Sequence, residues 1–242
     1  MAEHEPSTST VPTYRHEVLA TVFRVGPRVA PGGGESALGL QVLAWQRPRD
    51  PYEGRWALPS APLQPDETME QCLERTLAAR VDLAHVAHSE QLDTRSRIDR
   101  DPFQRTVATA YLALVPTDAE PELPDHADWC PVTALPPMAF DHADVVTVAA
   151  QRLRNKLSYT NLGFALAPPC FTIAQLREVY RAALGHDLDP TNLQRVLQRR
   201  GQLEATGRTV PAGPSGGRPA AEYRFTSRTA RTTDPFAVLR PS

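Results

Sequence analysis

The feature of this sequence that most limits its fold is a change in hydrophobic periodicity near residue 150. Before it, apolar residues alternate or run together as they do in strands, and one segment has an apolar helical face. The predicted strands cover residues 16–25, 38–46 and 106–115, with a short strand and bend over 56–59 and a helix over 68–81. Strands with one interposed helix predict an α/β (α+β) domain that ends near residue 150.

Beyond residue 150 the chain has the start and stop signals of short helices, predicted over 145–157, 172–184 and 191–200. Thr172 and Gln175 form a capping box, and Gly185 ends the same helix. Asp189 and Pro190 supply the N-cap and the first residue of the next one. A Gly/Pro-rich loop and a short strand over 222–225 follow. Two short helices and a hairpin predict a winged helix-turn-helix domain.

The charge is divided between the two halves. The whole chain has a net charge of −2. Residues 151–242 contain fourteen basic and six acidic residues, a net charge of +8, and residues 1–150 contain twelve and twenty-two, a net charge of −10. A basic half joined to an acidic half indicates a polyanionic partner for the basic half.

We expect five segments: a disordered N-terminus (1–13), the α/β domain (14–150), a linker helix and connection (151–170), a winged-helix domain (171–228) and a C-terminal tail (229–242). The sequence contains no run of about eighteen apolar residues, so no membrane span is predicted. The polar N-terminus lacks the features of a secretory signal. The three cysteines have no metal-ligand spacing. These observations predict a cytoplasmic protein with free thiols.

Residues 61–83 resemble the Nudix hydrolase signature, G-x5-E-x7-R-E-U-x-E-E-x-G-U, in which U is aliphatic. The matching residues are Glu67, Arg75, Leu77 and Leu83. The departures are Ala61 and Asp82 at the two glycines, Thr76 at the first glutamate of the helix, and Ala79 and Arg80 at the glutamate pair.

These departures affect chemistry more than structure. Nudix hydrolases cleave a diphosphate with Mg²⁺ or Mn²⁺ held by carboxylates on successive helical turns. Ala79 and Arg80 remove two anionic ligands and add a cation, and the remaining Glu67, Glu70 and Glu74 are interpreted as a solvated face. We therefore expect no catalytic residue, no metal site, no cofactor and little or no hydrolase activity.

Nucleotide binding can survive that loss. Arg47 and Trp56 stand where related Nudix domains hold nucleotides, and residues 99–105 resemble the R-D-P-x-x-R stretch of ADP-ribose-type members. A guanidinium group donates two hydrogen bonds at once to a diphosphate. The candidate ligand-binding residues are Arg47, Trp56, Arg100 and Arg105. Surface ion pairs with Asp99 or Asp101 are the alternative role for the last two.

The helix over 191–200 has amide and guanidinium groups on one side and Leu193, Val196 and Leu197 on the other. Arginine reads guanine in the major groove, and asparagine or glutamine reads adenine. The glycine-rich wing, residues 213–219, carries one further arginine, Arg218, which is suited to contact phosphate or to enter the minor groove. The candidate DNA-binding residues are Thr191, Asn192, Arg195, Arg199 and Arg218.

The order of these motifs resembles the NrtR family, the Nudix-related transcriptional regulators of NAD metabolism. The resemblance covers residues 15–226 and includes the segments 156–161, 171–180, 192–207, 217–219 and 223–225. It implies a homodimer with a winged-helix DNA-binding domain. We expect this dimer to bind an inverted-repeat operator in double-stranded DNA. The resemblance also implies repression of NAD biosynthesis or salvage genes, relieved when the Nudix domain binds ADP-ribose or a related NAD derivative.

Three alternatives remain open at this point. The chain could be a divergent Nudix hydrolase that acts on ADP-ribose or a dinucleotide through unrecognised metal ligands. Its Nudix domain could serve DNA binding as a dimerisation scaffold without a ligand. Its basic winged helix could bind RNA.

Overall fold

The computed structural model describes residues 13–28, 37–81, 83, 86–211 and 219–234. Four of the expected features lie wholly or partly outside the described residues. They are most of the N-terminal segment, Asp82, Arg218 with the rest of the wing tip, and the end of the C-terminal tail.

The N-terminal domain is a mixed sheet with one helix on one face. Its elements are β1 (Arg15–Pro27), β2 (Leu38–Gln46), β3 (Trp56–Ala57), β4 (Ser60–Pro62), α1 (Met69–Val81), β5 (His88–Arg95), β6 (Thr106–Leu114) and β7 (Ala127–Pro131). The strands lie in the order β3-β2-β1-β6-β5, with β4 paired to β1 and β7 paired to β2. β1 and β6 are parallel, and the other pairs are antiparallel.

β1 shows why its sequence is apolar on both faces. Val18, Ala20 and Val22 pack against α1, whereas Leu19 and Phe23 pack on the opposite face. A strand covered on both sides reads as a near-continuous apolar run. The helix and the three long strands are therefore where the sequence predicted them. The short strands β4, β5 and β7 were not predicted.

The C-terminal part begins with a long helix. Its elements are α2 (His142–Tyr159), a 3-10 helix (Leu162–Ala165), β8 (Phe171–Thr172), α3 (Ile173–Leu184), α4 (Pro190–Arg199), β9 (Leu203–Val210) and β10 (Ala220–Phe225). The three strands pair in the order β8-β10-β9. Two helices followed by a hairpin give the expected winged helix-turn-helix order.

The predicted helix signals act as expected. The Thr172 hydroxyl accepts a hydrogen bond from the Gln175 backbone, and the Gln175 side chain accepts one from the Thr172 backbone. Gly185 ends α3 in the left-handed region at φ 83°. The Asp189 carboxylate caps α4 by accepting from the Asn192 backbone at 2.6 Å. The turn between α3 and α4 is thus fixed at both ends.

One apolar core joins the two domains. It runs from the outer face of the sheet, through α2, to α3, α4 and β10. The segment that follows α2 is part of this core, since residues 161–167 are all buried. The Thr117 backbone also donates a hydrogen bond to the Leu166 carbonyl at 3.0 Å. The connection expected over 158–169 is therefore a packed element between the domains.

The first residues of the expected tail are also packed. The Asn161 side chain bonds the Thr229 carbonyl and the Arg231 backbone, and Arg200 pairs with Asp234 at 2.7 Å. These contacts hold residues 229–234 against the segment after α2 and the residue after α4. None of the helices in the described part of the chain is long and apolar enough to cross a membrane.

Candidate functional site

A cleft of about 820 Å³ opens on the N-terminal domain where β1, β2 and α1 come together. It is lined by Arg15 and Glu17 of β1, the end of β2 with residues 47–51, Arg80 of α1, residues 101, 103 and 104, and Phe140. The predicted residue Arg47 and part of the predicted segment 99–105 therefore meet in one cleft.

Arg47 is held in a defined position at the cleft wall. Its Nε donates to the Pro51 carbonyl at 2.7 Å, and its guanidinium lies 4.8 Å from the centre of the Phe140 ring. Burial lowers the pKa of Arg47 from its ordinary value, against a raising effect from nearby Glu17. A partly desolvated guanidinium attracts an anion more strongly than one in bulk water.

The other three predicted ligand residues do not line this cleft. Trp56 packs against the apolar core and pairs with Met138. Arg105 donates to the Arg97 carbonyl at 2.9 Å and lies over the Tyr14 ring. Arg100 is buried in an ion pair. Their contribution to ligand binding stays a prediction.

The ion pair of Arg100 connects the cleft to α2. Its Nη2 lies 2.9 Å from Asp141, which directly precedes that helix, and the two side chains are 2% and 12% exposed. Burial raises the pKa of Asp141, but the hydrogen bond and charge of Arg100 outweigh it, so that pKa lies below its usual range. Phe140, the residue before Asp141, lines the cleft itself.

The retained signature residues form a structural ion pair. Arg75 donates to both carboxylate oxygens of Glu67, at 2.9 and 2.6 Å, and to the Pro62 carbonyl. The hydrogen bond from Arg75 lowers the pKa of Glu67 to about 2. The carboxylate of Glu70 accepts from the Tyr111 hydroxyl at 3.0 Å. Glu67 and Glu70 therefore have partners, and neither lines the cleft.

The signature positions that face the diphosphate in Nudix hydrolases do not suit a divalent cation. Thr76 is buried and donates its hydroxyl to the Cys72 carbonyl at 2.6 Å, Ala79 has no oxygen ligand, and Arg80 is cationic. Mg²⁺ and Mn²⁺ bind carboxylate oxygens. Among the described residues, no three histidine, cysteine or acidic side chains are grouped to hold a metal.

The second candidate surface is the outer side of α4. Leu193 and Leu197 are buried beneath it. The predicted residues Thr191, Asn192, Arg195 and Arg199 are all exposed. A helix that is apolar inside and polar outside can enter the major groove without disturbing its own domain.

Contacts on this surface hold α4 in a defined orientation. Arg195 donates to the Asn192 side chain at 2.7 Å, and Gln194 donates to the Tyr223 hydroxyl at 2.9 Å. The second contact joins the helix to β10. Arg199 has an exposed side chain at the end of the helix.

Sequence reasoning missed several cationic residues at both sites. Arg15 and Arg49 line the cleft, and Arg208 of β9 is 75% exposed beside the wing, 3.3 Å from Glu222. The turn-forming residues around Arg49 were a usable signal. Arg208 had none, because β9 was not delimited in the sequence. Arg218 lies outside the described residues, so its role stays a prediction.

The comparisons with known proteins identify both domains. Residues 163–225 match the model of the NrtR DNA-binding winged helix domain, and residues 30–149 match that of the NUDIX domain. The chain is 34% identical over 193 residues to the ADPR responsive transcriptional repressor NtrR of Acinetobacter baylyi, which covers 77% of this chain and 76% of the relative.

Solved structures extend the likeness to the whole fold. Shewanella oneidensis NrtR matches with a TM-score of 0.71 and 29% identity, over 87% of this chain and 94% of that one. Its complex with a 27mer DNA matches with a TM-score of 0.71 and 28% identity, over 87% and 93%.

These matches confirm the predicted fold class and the family resemblance. A Nudix domain precedes a winged-helix domain in this chain, as in those relatives. The chain therefore belongs to the NrtR family of Nudix-related transcriptional regulators.

Proposed function

We propose that this protein is a transcriptional repressor that binds DNA through its winged helix and senses ADP-ribose, or a related NAD-derived nucleotide, in its Nudix domain. The observation that carries the proposal is the presence in one chain of an exposed recognition helix, α4, and an arginine-lined cleft. A relative that is 34% identical over 193 residues is an ADPR responsive transcriptional repressor, and a structural relative has been crystallised with DNA.

The Nudix domain acts as a sensor without turning over its ligand. The signature positions hold Thr76, Ala79 and Arg80, so the cation that would activate water has no carboxylate ligands there. Glu67 is held by Arg75 away from the cleft lining. The alternative, a divergent hydrolase, requires metal ligands that these positions do not supply.

The effect of ligand binding is transmitted to the DNA-binding domain through the start of α2. Residues 101, 103 and 104 and Phe140 line the cleft, and the Arg100–Asp141 ion pair joins that loop to the helix. The other end of α2 packs against the winged-helix core. A ligand shifts this arrangement to the extent that it binds two positions of α2 with different affinity.

In the cell, the protein acts in the cytoplasm as a homodimer on an inverted-repeat operator. A two-fold axis places two recognition helices at half-sites about one DNA turn apart. Thr191, Asn192 and Arg195 face the bases near the start of α4, and Arg199 and Arg218 contact phosphate or bases. The regulated genes are those of NAD biosynthesis or salvage.

The deciding experiment measures fluorescence anisotropy of labelled fragments from upstream of NAD biosynthesis genes, at fixed salt, with and without ADP-ribose. We expect saturable binding that a shuffled fragment of equal length does not show and that ADP-ribose weakens. Tight binding that ADP-ribose leaves unchanged would leave the Nudix domain as a scaffold. Preference for an RNA duplex of the same sequence would contradict the DNA-binding role.

A second assay separates sensor from enzyme. ADP-ribose is incubated with the protein and Mg²⁺ or Mn²⁺, and AMP release is followed by chromatography. We expect no release above a protein-free control. Multiple turnovers at an ordinary enzymatic rate of about 1 s⁻¹ or more would show that the protein is an active Nudix hydrolase.

A further inference from the structure

The residue of the Nudix signature that differs most from its usual counterpart is Arg80, and it lies in the cleft. In Nudix hydrolases the glutamate at this position helps to hold a divalent cation against the diphosphate. In this chain the same helix position presents a cation directly. Thr76, one turn earlier on the same face of α1, is buried and uses its hydroxyl within the helix.

The contacts of Arg80 orient its guanidinium without neutralising it. The group lies 5.0 Å from the centre of the Trp45 ring, and Trp45 is itself 6% exposed. Within the described part of the chain, Arg80 has no carboxylate within ion-pair distance. A guanidinium held against an aromatic face keeps its N–H groups, which lie in its own plane, free to bind two oxygen atoms.

The rest of the cleft leaves cationic groups for the same ligand. The Nε of Arg47 donates its hydrogen bond to the Pro51 carbonyl. Among the described residues, its two terminal nitrogen atoms have no hydrogen-bond acceptor and remain available to a ligand. Two of the acidic residues of the lining already have partners. Glu17 pairs with Arg15 at 2.6 Å, and Asp101 accepts hydrogen bonds from the backbone of its own loop and from a threonine hydroxyl.

We propose that Arg80 replaces the divalent cation of the Nudix fold, so that this cleft binds the diphosphate of its nucleotide through arginines and without metal. The guanidinium of Arg80 forms charge-assisted hydrogen bonds to phosphate oxygens, and Arg47 supplies a second guanidinium that does the same. This inference rests on the proposed nucleotide-sensing function and specifies its chemistry. A metal-independent site keeps its affinity when the concentration of free Mg²⁺ changes, and it has no metal-bound water to attack the ligand.

The test is calorimetric titration of the full-length protein with ADP-ribose, in excess EDTA and again in millimolar MgCl₂. We expect the Kd of the wild-type protein to agree within about twofold in the two buffers. Arg80→Gln removes the charge and weakens binding in EDTA by about tenfold or more, since hydrogen bonds to charged groups are stronger than those between neutral groups. Arg80→Glu, which restores the usual signature residue, weakens it further.

Arg97→Gln is the matched control, because Arg97 is exposed, lies outside the cleft lining and bears the same charge. It should bind ADP-ribose as the wild type does. Melting temperatures without ligand establish that each variant is folded, and Arg80→Lys provides a second variant with the charge retained, with a smaller loss of affinity than Arg80→Gln.

Two results would overturn the proposal. One is wild-type binding that requires Mg²⁺, and the other is an Arg80→Gln variant that binds as tightly as the wild type in EDTA. In both cases nucleotide sensing would stand. If the wild type bound no ADP-ribose in either buffer, the effector assignment would fail as well, while operator binding would remain a separate measurement.

Discussion

Replacing Arg100 by methionine should destabilise the protein far more than a surface ion pair would suggest. The pair with Asp141 has an N–O distance of 2.9 Å, and the two side chains are 2% and 12% exposed. Methionine fills part of the volume but leaves a carboxylate buried without its cation. Loss of one partner of a buried pair costs about 3–5 kcal/mol of unfolding free energy. We expect a loss in that range.

The same loop provides a control pair with an equal N–O distance and different burial. Arg97 pairs with Asp99 at 2.9 Å, but these side chains are 73% and 71% exposed. Solvent screening limits such pairs to about 0–1 kcal/mol, so Arg97→Met should lie in that range. The double variant Arg100→Met with Asp141→Leu should recover most of the loss, because it leaves no unpaired buried charge.

The assay is urea unfolding followed by circular dichroism, with slopes compared to exclude a change in the unfolded state. If Arg100→Met lowered the free energy of unfolding no more than Arg97→Met does, burial would not explain the contribution of the Arg100–Asp141 pair to stability. Failure of the double variant to recover would show that the pair is not isolated. Operator titrations of these variants also test the communication route: Arg100→Met should reduce the effect of ADP-ribose on DNA affinity, and Arg97→Met should not.

Three further outcomes are expected. Arg199→Ala should weaken operator binding across sequences and reduce the slope of log K against log salt by about 1, which Arg97→Ala, a change in the Nudix domain, should not do. Gly163→Ala should lower the Tm, since a Cβ there would lie 2.4 Å from the Tyr180 hydroxyl oxygen; overpacking typically costs about 1–3 kcal/mol, and an unchanged Tm in scanning calorimetry would contradict the packing. Burial lowers the pKa of His142 to about 3, whereas the pKa of the same side chain in the unfolded state is about 6.5. The unfolded state therefore binds more protons between these values, so stability should fall on acidification through this range by up to about 1.4 kcal/mol per pH unit, and urea titrations of His142→Gln should lack this component.

The sequence by itself determined the local structure and the family. Alternating and continuous apolar runs placed the long strands, because burial on one or both faces leaves a period that a single chain displays. The capping box at Thr172 and the left-handed Gly185 bounded α3, since caps act within a few residues. The Nudix signature and its missing carboxylates are likewise contiguous in the chain.

Short and polar strands escaped prediction for the opposite reason. β5 buries one residue, Leu92, and is held at the sheet edge by pairing with β6. β9 has mostly exposed side chains and depends on β10. Such strands form through hydrogen bonds to a distant neighbour, and this leaves little trace in their own composition.

Only the tertiary structure decided which arginines serve the site. Arg47 and Arg100 look alike in the sequence, yet Arg47 lines the cleft and Arg100 is buried against Asp141, forty-one positions away. Arg80 reaches the cleft because packing turns that side of α1 toward β2, where Trp45 receives it. The position of a charge relative to a site depends on pairings between segments remote in the chain, and these are fixed by packing of the whole core.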